Sequence, residues 1–162
     1  MSEAWQLAQI NIGRLLAPID DPLIADFKNN LDRVNAIAEG HPGFVWRLTG
    51  DGNDATGLRI SDDPLVIPNM SVWTDLDSLA AFAYRNTDHR TIMRRRKEWF
   101  AHMEVYMALW WVPAGHRPSL GEARERLDLL EREGPTADAF TFRHPFPAPG
   151  AASIKPVLEI CE

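Results

Sequence analysis

The chain has 162 residues, a formal net charge of −6 and one cysteine, Cys161. This length supports one domain with a full-sized core, and an apolar fraction of 45% with 25% charged residues is typical of a soluble globular protein. The acidic balance gives no electrostatic reason to expect nucleic-acid binding, and no apolar run approaches the ~18 residues of a membrane helix. A single cysteine excludes an internal disulfide, which favours a cytoplasmic location.

The first half of the chain predicts three strands and a helix. Apolar and polar residues alternate over 5–13, as in a strand with one buried face. The following helix is expected to begin with Asp21 as its N-cap and to end at Gly40. Second and third strands are predicted over 43–50 and 68–75, on either side of a polar, glycine-rich loop.

The second half predicts a helical region, a fourth strand and a C-terminal segment. A cap at Thr74 or Asp75 begins a helix, or a broken pair of helices, that runs to Met103. The almost wholly apolar run 105–113 predicts a strand that is covered on both faces. A serine followed three residues later by glutamate, the capping-box pattern, begins a short helix over 119–133, and the aromatic, proline-rich tail is expected to be extended.

The element order β-α-β-β-α-β is that of a ferredoxin-like α+β fold, with a four-stranded antiparallel sheet and two helices on one face. We therefore predict a main domain over 1–113 and a C-terminal helical and extended segment over 114–162 that packs on it. Alternation divides the first strand into two sets, Ala8, Ile10 and Ile12 against Trp5, Leu7, Gln9 and Asn11. We expect the second set to lie opposite the helices, on a face that is closed by homodimerisation.

The stretch from Tyr84 to Met103 combines five arginines and a lysine with apolar residues at helical spacing. On a helical wheel one face holds His89, Ile92, Met93, Arg96, Trp99, Phe100 and Met103. Most of the charge, including Arg94, falls on the opposite, solvated face. His89 and Arg96 lie inside the apolar stripe. Since buried polar groups without partners are costly, both are expected to bind a partner or a ligand.

Several blocks of sequence resemble known families. The texts "HPGFVWRL" and "SVWTDLDSLAAFAYRNTDHRTIM" resemble the dimeric α/β-barrel superfamily of antibiotic-biosynthesis monooxygenases over residues 5–113. The blocks "HRTIMRRRKEWF" and "LWWVPAGHRPSLGEARERL" resemble its DUF3291 branch over nearly the whole chain. His89 matches the last histidine of the superfamily's motif, whereas Tyr84 stands where an earlier histidine would be. The resemblance implies a small-molecule pocket, but the superfamily's members range from cofactor-independent oxygenases to haem binders and isomerases.

Three residues are candidates for catalysis. His89 can accept a proton or ligate haem iron, or it can bond to the backbone at a helix break. Arg96 is either a clamp for a carboxylate or enolate oxygen or one half of a salt bridge with Glu104 or Glu122. Asn11 either orients a substrate or dioxygen or forms hydrogen bonds at a subunit interface.

Five further residues are predicted to contact substrate, namely Gln9, Trp73, Trp99, Trp111 and His116. The tryptophans are equally suited to the core or an interface, and His116 to bracing the C-terminal helix. No metal-ligand motif occurs, so no metal site is predicted, and no cofactor is predicted with haem as the alternative. The sequence favours a monooxygenase-type enzyme acting on an aromatic or polyketide-like small molecule, and leaves open a binding protein without turnover.

Overall fold

The computed structural model describes residues 4–50, 54–103 and 105–151. At its centre is a five-stranded antiparallel sheet. The strands are β1 (Trp5–Leu15), β2 (Phe44–Arg47), β3 (Val66–Trp73), β4 (Phe100–Ala101) and β5 (Met107–Pro113). The long β1 is central, because it pairs with β3 on one side and with both β5 and the short β4 on the other, and β2 extends the sheet beyond β3. The predicted α+β class and antiparallel sheet are confirmed.

Five α-helices flank the sheet in the described ranges: α1 (Ala25–Glu39), α2 (Leu76–Ala80), α3 (Thr87–Arg94), α4 (Arg96–Trp99) and α5 (Leu120–Glu133). The predicted caps are present. Asp21 accepts a backbone N–H in the 3₁₀ turn that leads into α1, and Asp75 and Ser119 do the same at the starts of α2 and α5. None of these helices is long and apolar enough to span a membrane.

The basic stretch is broken into short helices. A π-helical turn over Ala81–Arg85 follows α2, and the extended residue Asn86 then caps α3 with its side chain. The last helix of this stretch, α4, ends at Trp99, because the backbone of Phe100 is extended and pairs with β1. The predicted helical face was therefore too long, since Phe100 and Met103 do not belong to it.

The two faces of the sheet are covered by different parts of the chain. The side chains of Ala8, Ile10 and Ile12 share a core with α5, whereas Leu7 packs with α2 and Gln9 lies below α1 and α3. The predicted grouping by alternation is correct, but the predicted placement of Gln9 and Asn11 opposite the main-domain helices is wrong. Alternation fixes which residues share a face; it does not say which element covers that face.

The C-terminal segment completes the core on both sides of β5. From α5, the buried residues Ala123, Leu127 and Leu130 pack on one face. On the other, Leu109 packs with Phe140 and Phe142. Leu109 and Phe140 also exchange backbone hydrogen bonds of 2.8 and 2.9 Å along the edge of β5. The strand is thus covered on both faces, as its composition predicts. The homodimer stays a prediction, but its main argument, an uncovered apolar sheet face, does not hold because α5 already covers the face opposite the other helices.

Candidate functional site

A cavity of about 770 Å³ lies between the sheet and helices α1, α3 and α4. Its size is within the roughly 300–1,000 Å³ of small-molecule sites. Much of its wall is apolar, and is formed by Phe27, Leu31, Val34, Ile92, Met93 and Trp99. Its floor is polar and is formed by Gln9, Asn11, Asn69 and Ser71. An apolar cavity with a few convergent polar groups is the arrangement expected of a ligand site.

The polar floor is a hydrogen-bonded network across β1 and β3. The strand register places Gln9 opposite Ser71 and Asn11 opposite Asn69. The amide nitrogen of Gln9 donates to Asn69 Oδ1 and Ser71 Oγ, both at 2.8 Å, and Trp73 Nε1 donates to Ser71 Oγ at the same distance. Asn11 Nδ2 donates to Gln9 Oε1 at 3.1 Å and to Asn69 Oδ1 at 3.2 Å. Asn69 Nδ2 has no partner within the described ranges and is available to a ligand.

His89 lies in the first turn of α3, just after the helix break, and lines the cavity. Its Nδ1 is 2.8 Å from the carbonyl oxygen of Ala83. In the neutral ring Nδ1 therefore carries the proton, and Nε2 keeps its lone pair as an acceptor. Burial lowers the pKa of His89, and the hydrogen bond to Ala83 opposes this shift only in part. The ring is thus neutral at pH 7, which is the form a general base requires.

The backbone bond of His89 also matches the structural alternative predicted for it. That bond ties α3 to the π-helical turn, and the ring packs against Phe82 with centroids 4.6 Å apart. A bond of this kind from Nδ1 is also common in metal-ligating histidines, so it is compatible with a haem ligand. The described residues contain no cluster of three or more metal-ligating side chains. The geometry therefore leaves base, haem ligand and structural residue as roles to be separated by experiment.

Arg96 brings a half-buried positive charge to the cavity from α4. Its guanidinium carbon lies 4.9 Å from the ring centroid of Tyr106 and 5.2 Å from that of Phe100. Its Nη2 makes a long 3.5 Å hydrogen bond to the carbonyl of Ile12. Burial lowers the pKa of Arg96, because the charge is partly removed from water. Aromatic faces stabilise a cation but do not neutralise it.

The salt bridge predicted as the alternative role of Arg96 is not formed with Glu122. Glu122 belongs to α5 on the opposite side of the sheet, where its Oε2 accepts a 2.8 Å hydrogen bond from Trp110 Nε1. The other predicted partner, Glu104, lies outside the described residues. Within the described ranges no carboxylate pairs with Arg96, so this guanidinium can bind an anion in the cavity.

Six of the eight predicted site residues line the cavity: Gln9, Asn11, Trp73, His89, Arg96 and Trp99. Trp111 and His116 do not. Trp111 Nε1 donates to the carbonyl of Phe146 at 2.8 Å, and His116 Nε2 lies 2.7 Å from Glu122 Oε1. Both side chains hold the C-terminal segment to the sheet, which is the bracing role predicted as the alternative for His116. The sequence grouped them with the other six because it does not show which strand face the tail covers, and a substrate contact at either residue stays a prediction.

The lining residues that the sequence did not single out include three polar ones, Asn69, Ser71 and Tyr106. A signal for the first two exists, because Asn69 and Ser71 alternate with apolar neighbours just as Gln9 and Asn11 do. Pairing the first and third strands would have brought these four side chains together. The predicted solvated position of Arg94 is correct in part, because this exposed side chain also borders the cavity.

Two solved structures illustrate what the fold resembles. A conserved protein from Methanosarcina mazei Go1 is 11% identical, with 68% of this chain and 93% of that chain covered and a TM-score of 0.48. SnoaB, a cofactor-independent oxygenase from Streptomyces nogalater, is 18% identical, with 69% and 95% covered and a TM-score of 0.46. Similarity at this level does not indicate an activity for this chain. No curated protein matches the sequence.

A family model matches nearly the whole chain. It is that of a domain of unknown function, DUF3291, and it spans residues 6–156. The match runs from β1 through α5 into the C-terminal tail, so it includes both the cavity and the helix that covers the other sheet face. The chain belongs to the DUF3291 family.

Proposed function

We propose that the protein is a cofactor-independent monooxygenase that oxidises an electron-rich aromatic or polyketide-like molecule in the cavity. One observation carries the proposal: a neutral histidine held through Nδ1 and an arginine without a carboxylate partner in the described ranges line the same apolar cavity. A base and an anion-stabilising cation are the two groups that deprotonation of a weak carbon or oxygen acid needs.

In the proposed reaction His89 Nε2 takes a proton from an activated CH₂ group next to an aromatic ring and a carbonyl or phenol. The negative charge spreads onto the substrate oxygen, where Arg96 stabilises it. Asn11 and Asn69 on the polar floor orient the substrate. Since the amides of the floor already bond to one another, they are fixed before substrate binds and need little reorganisation during the reaction.

Dioxygen is the only oxidant that this reaction requires. The carbanion transfers an electron to O₂, and combination of the two radicals gives a peroxide anion on the same carbon. His89 returns its proton to the peroxide, and loss of water leaves a ketone, so that the CH₂ group and O₂ become a C=O group and H₂O. The apolar wall of Phe27, Ile92 and Trp99 excludes bulk water from the carbanion, which would otherwise be reprotonated.

The test is oxygen consumption with 1,8-dihydroxyanthrone as a probe substrate, measured with an oxygen electrode and by formation of the anthraquinone. His89→Gln should lower kcat about 100-fold or more, because general-base catalysis is lost. Arg96→Met should lower kcat by a factor on the order of 100, the usual effect of removing one oxyanion donor. The matched control is His102→Gln, since His102 is exposed and does not line the cavity.

A wild-type rate in His89→Gln would contradict the proposed base. Binding of the probe without oxygen uptake would instead favour the second class of function, a small-molecule binding protein without turnover. A Soret absorption band in the purified protein that disappears in His89→Gln would favour haem binding, with His89 as the ligand.

A further inference from the structure

The cavity is basic although the protein is acidic. Five arginines line it, namely Arg47, Arg85, Arg90, Arg94 and Arg96. Among the described lining residues the one carboxylate is Asp54, and its Oδ1 is already bound to the backbone N–H and hydroxyl of Thr56. The whole chain, in contrast, has a formal net charge of −6. A concave site with a clear excess of one sign of charge concentrates ions of the opposite sign, so this cavity attracts anions.

Three of these arginines form no ion pair with any described residue. Arg85, Arg90 and Arg94 are exposed, border the cavity, and have no carboxylate partner within the described ranges. Arg90 and Arg94 are four residues apart on α3, a spacing at which like charges destabilise a helix. Several arginines away from the cavity do form ion pairs, among them Arg14, Arg33, Arg95 and Arg124. The three at the opening therefore stabilise little in the protein itself.

We propose that the substrate is an organic acid. Its aromatic or apolar body fills the cavity, and a permanently ionised group, a carboxylate or a phosphate, is held at the opening by Arg85, Arg90 and Arg94. This proposal rests on the proposed function and names the class of its substrate. Arg96 lies deeper, half buried against Tyr106, and remains for the oxyanion that forms during reaction. The permanent charge and the transient charge thus have separate cationic partners.

The experiment compares ligands of one shape and different charge. The probes are 2-naphthoate, 2-naphthyl phosphate and the neutral 2-naphthamide, and each dissociation constant is measured by displacement of a fluorescent naphthalene dye. The wild-type protein should bind at least one of the two anions about tenfold more tightly than the amide, with an advantage that shrinks as salt screens the charges. The anion that binds more tightly identifies the group as carboxylate or phosphate.

The variant is Arg90→Gln/Arg94→Gln, and the matched control is Arg117→Gln/Arg132→Gln. Both remove two exposed positive charges, but Arg117 and Arg132 do not line the cavity. The first variant should weaken anion binding about tenfold and leave the amide within about twofold, because two solvent-screened contacts to the anion are lost. The control should bind all three probes as the wild type does.

Equal binding of the amide and both anions by the wild type would overturn the proposal, as would binding of none of them. An equal loss of anion affinity in the variant and the control would also overturn the proposal, since the overall charge of the protein would then explain the effect. The outcome is separable from that of the oxygen-uptake test. Charge selectivity without oxygen uptake would keep the organic-acid site and reject the monooxygenase, whereas oxygen uptake without charge selectivity would do the reverse.

Discussion

The two faces of the sheet are packed in opposite ways. On the face below α5, the side chains of Ile10, Trp110 and Leu127 are nearly or fully buried in one continuous apolar core. On the other face the same strands carry Gln9 and Asn11 and border a cavity of about 770 Å³. Apolar side chains that filled this space would make the protein more stable, because unfilled volume forfeits packing energy. The difference indicates that one face supports the fold, whereas the other leaves space for the ligand proposed above.

The comparison also explains the role of the C-terminal segment. By covering the apolar face within the same chain, α5 takes the place that a second subunit was predicted to fill. Hydrogen bonds also hold α5 to this face, because Glu122 accepts one from Trp110 and one from His116. We therefore expect stability to depend on the α5 face and ligand binding to depend on the cavity face.

The largest effect is expected from removing the C-terminal segment. Truncation after Pro113 would uncover the side chains of Ile10 and Trp110 and remove apolar partners, Leu127 and Phe140 among them. Each large apolar side chain is worth roughly 1.5–3 kcal/mol when buried, and a domain's whole stability is only about 5–15 kcal/mol. The truncated chain should be unfolded or aggregated, as judged by circular dichroism and light scattering. A soluble truncation with the full-length melting temperature would contradict the role of α5.

A single substitution placed on each face sharpens the comparison. Leu127→Ala, on the α5 face, should lower the free energy of unfolding by about 2–4 kcal/mol, because a closely packed core relaxes little around the cavity left behind. Leu31→Ala, in the half-buried wall of the ligand cavity, should lower it by about 1 kcal/mol or less, since its side chain already borders empty space. Urea unfolding measures both. Equal losses would show that the cavity face is as important for stability as the α5 face.

The elements themselves were predictable because local chemistry determines them. Asp21, Asp75 and Ser119 each stand just before an apolar-periodic segment, and each caps a helix in the structure. The composition of β5, apolar at almost every position, correctly indicated cover on both faces. Hydrophobic period and capping residues act within a few residues of sequence, so they can be read from the sequence alone.

The placement of the site was less predictable because it depends on contacts distant in sequence. The alternation in β1 separated Gln9 and Asn11 from Ile10, but only the position of α5 decides which set meets the cavity. The break at Asn86, which holds His89 beside the cavity, follows a π-helical turn that has no clear sequence signal. Asn69 was missed because its role depends on pairing with a strand 58 residues away.

A smaller effect is expected from pH, through His89. Burial lowers the pKa of His89 in the folded protein below the value of about 6.5 in the unfolded chain. Between these two values the unfolded state binds more protons, so stability rises with pH. The contribution of the neutral, buried ring is complete above about pH 6.5 and is lost as pH falls through the folded-state pKa.

Urea unfolding between pH 7.5 and 5 should show this dependence. The wild type should lose more stability on acidification than His89→Gln, whose side chain does not titrate. His102→Gln is the control, because His102 is exposed and its removal should leave the wild-type pH dependence in place. Identical pH profiles for the wild type and His89→Gln would show that the ring is not desolvated.

The smallest effect on stability is expected at Arg96, although its effect on turnover should be large. If Arg96 were half of a buried salt bridge, Arg96→Ala would strand a carboxylate and cost about 3–5 kcal/mol. No described carboxylate pairs with it, so the variant loses mainly the contacts with Tyr106 and Phe100, worth about 0.5–2 kcal/mol, and regains the desolvation free energy of the charge. The net change should stay within about 1 kcal/mol of the wild type.

Arg132→Ala, at an exposed position of α5, is the control and should change stability by less than about 0.5 kcal/mol. Thermal and urea melts decide between the two roles. A loss near 4 kcal/mol would assign Arg96 to the fold and remove it from the site, whereas a small loss together with a large fall in oxygen uptake would place it on the ligand side of the comparison.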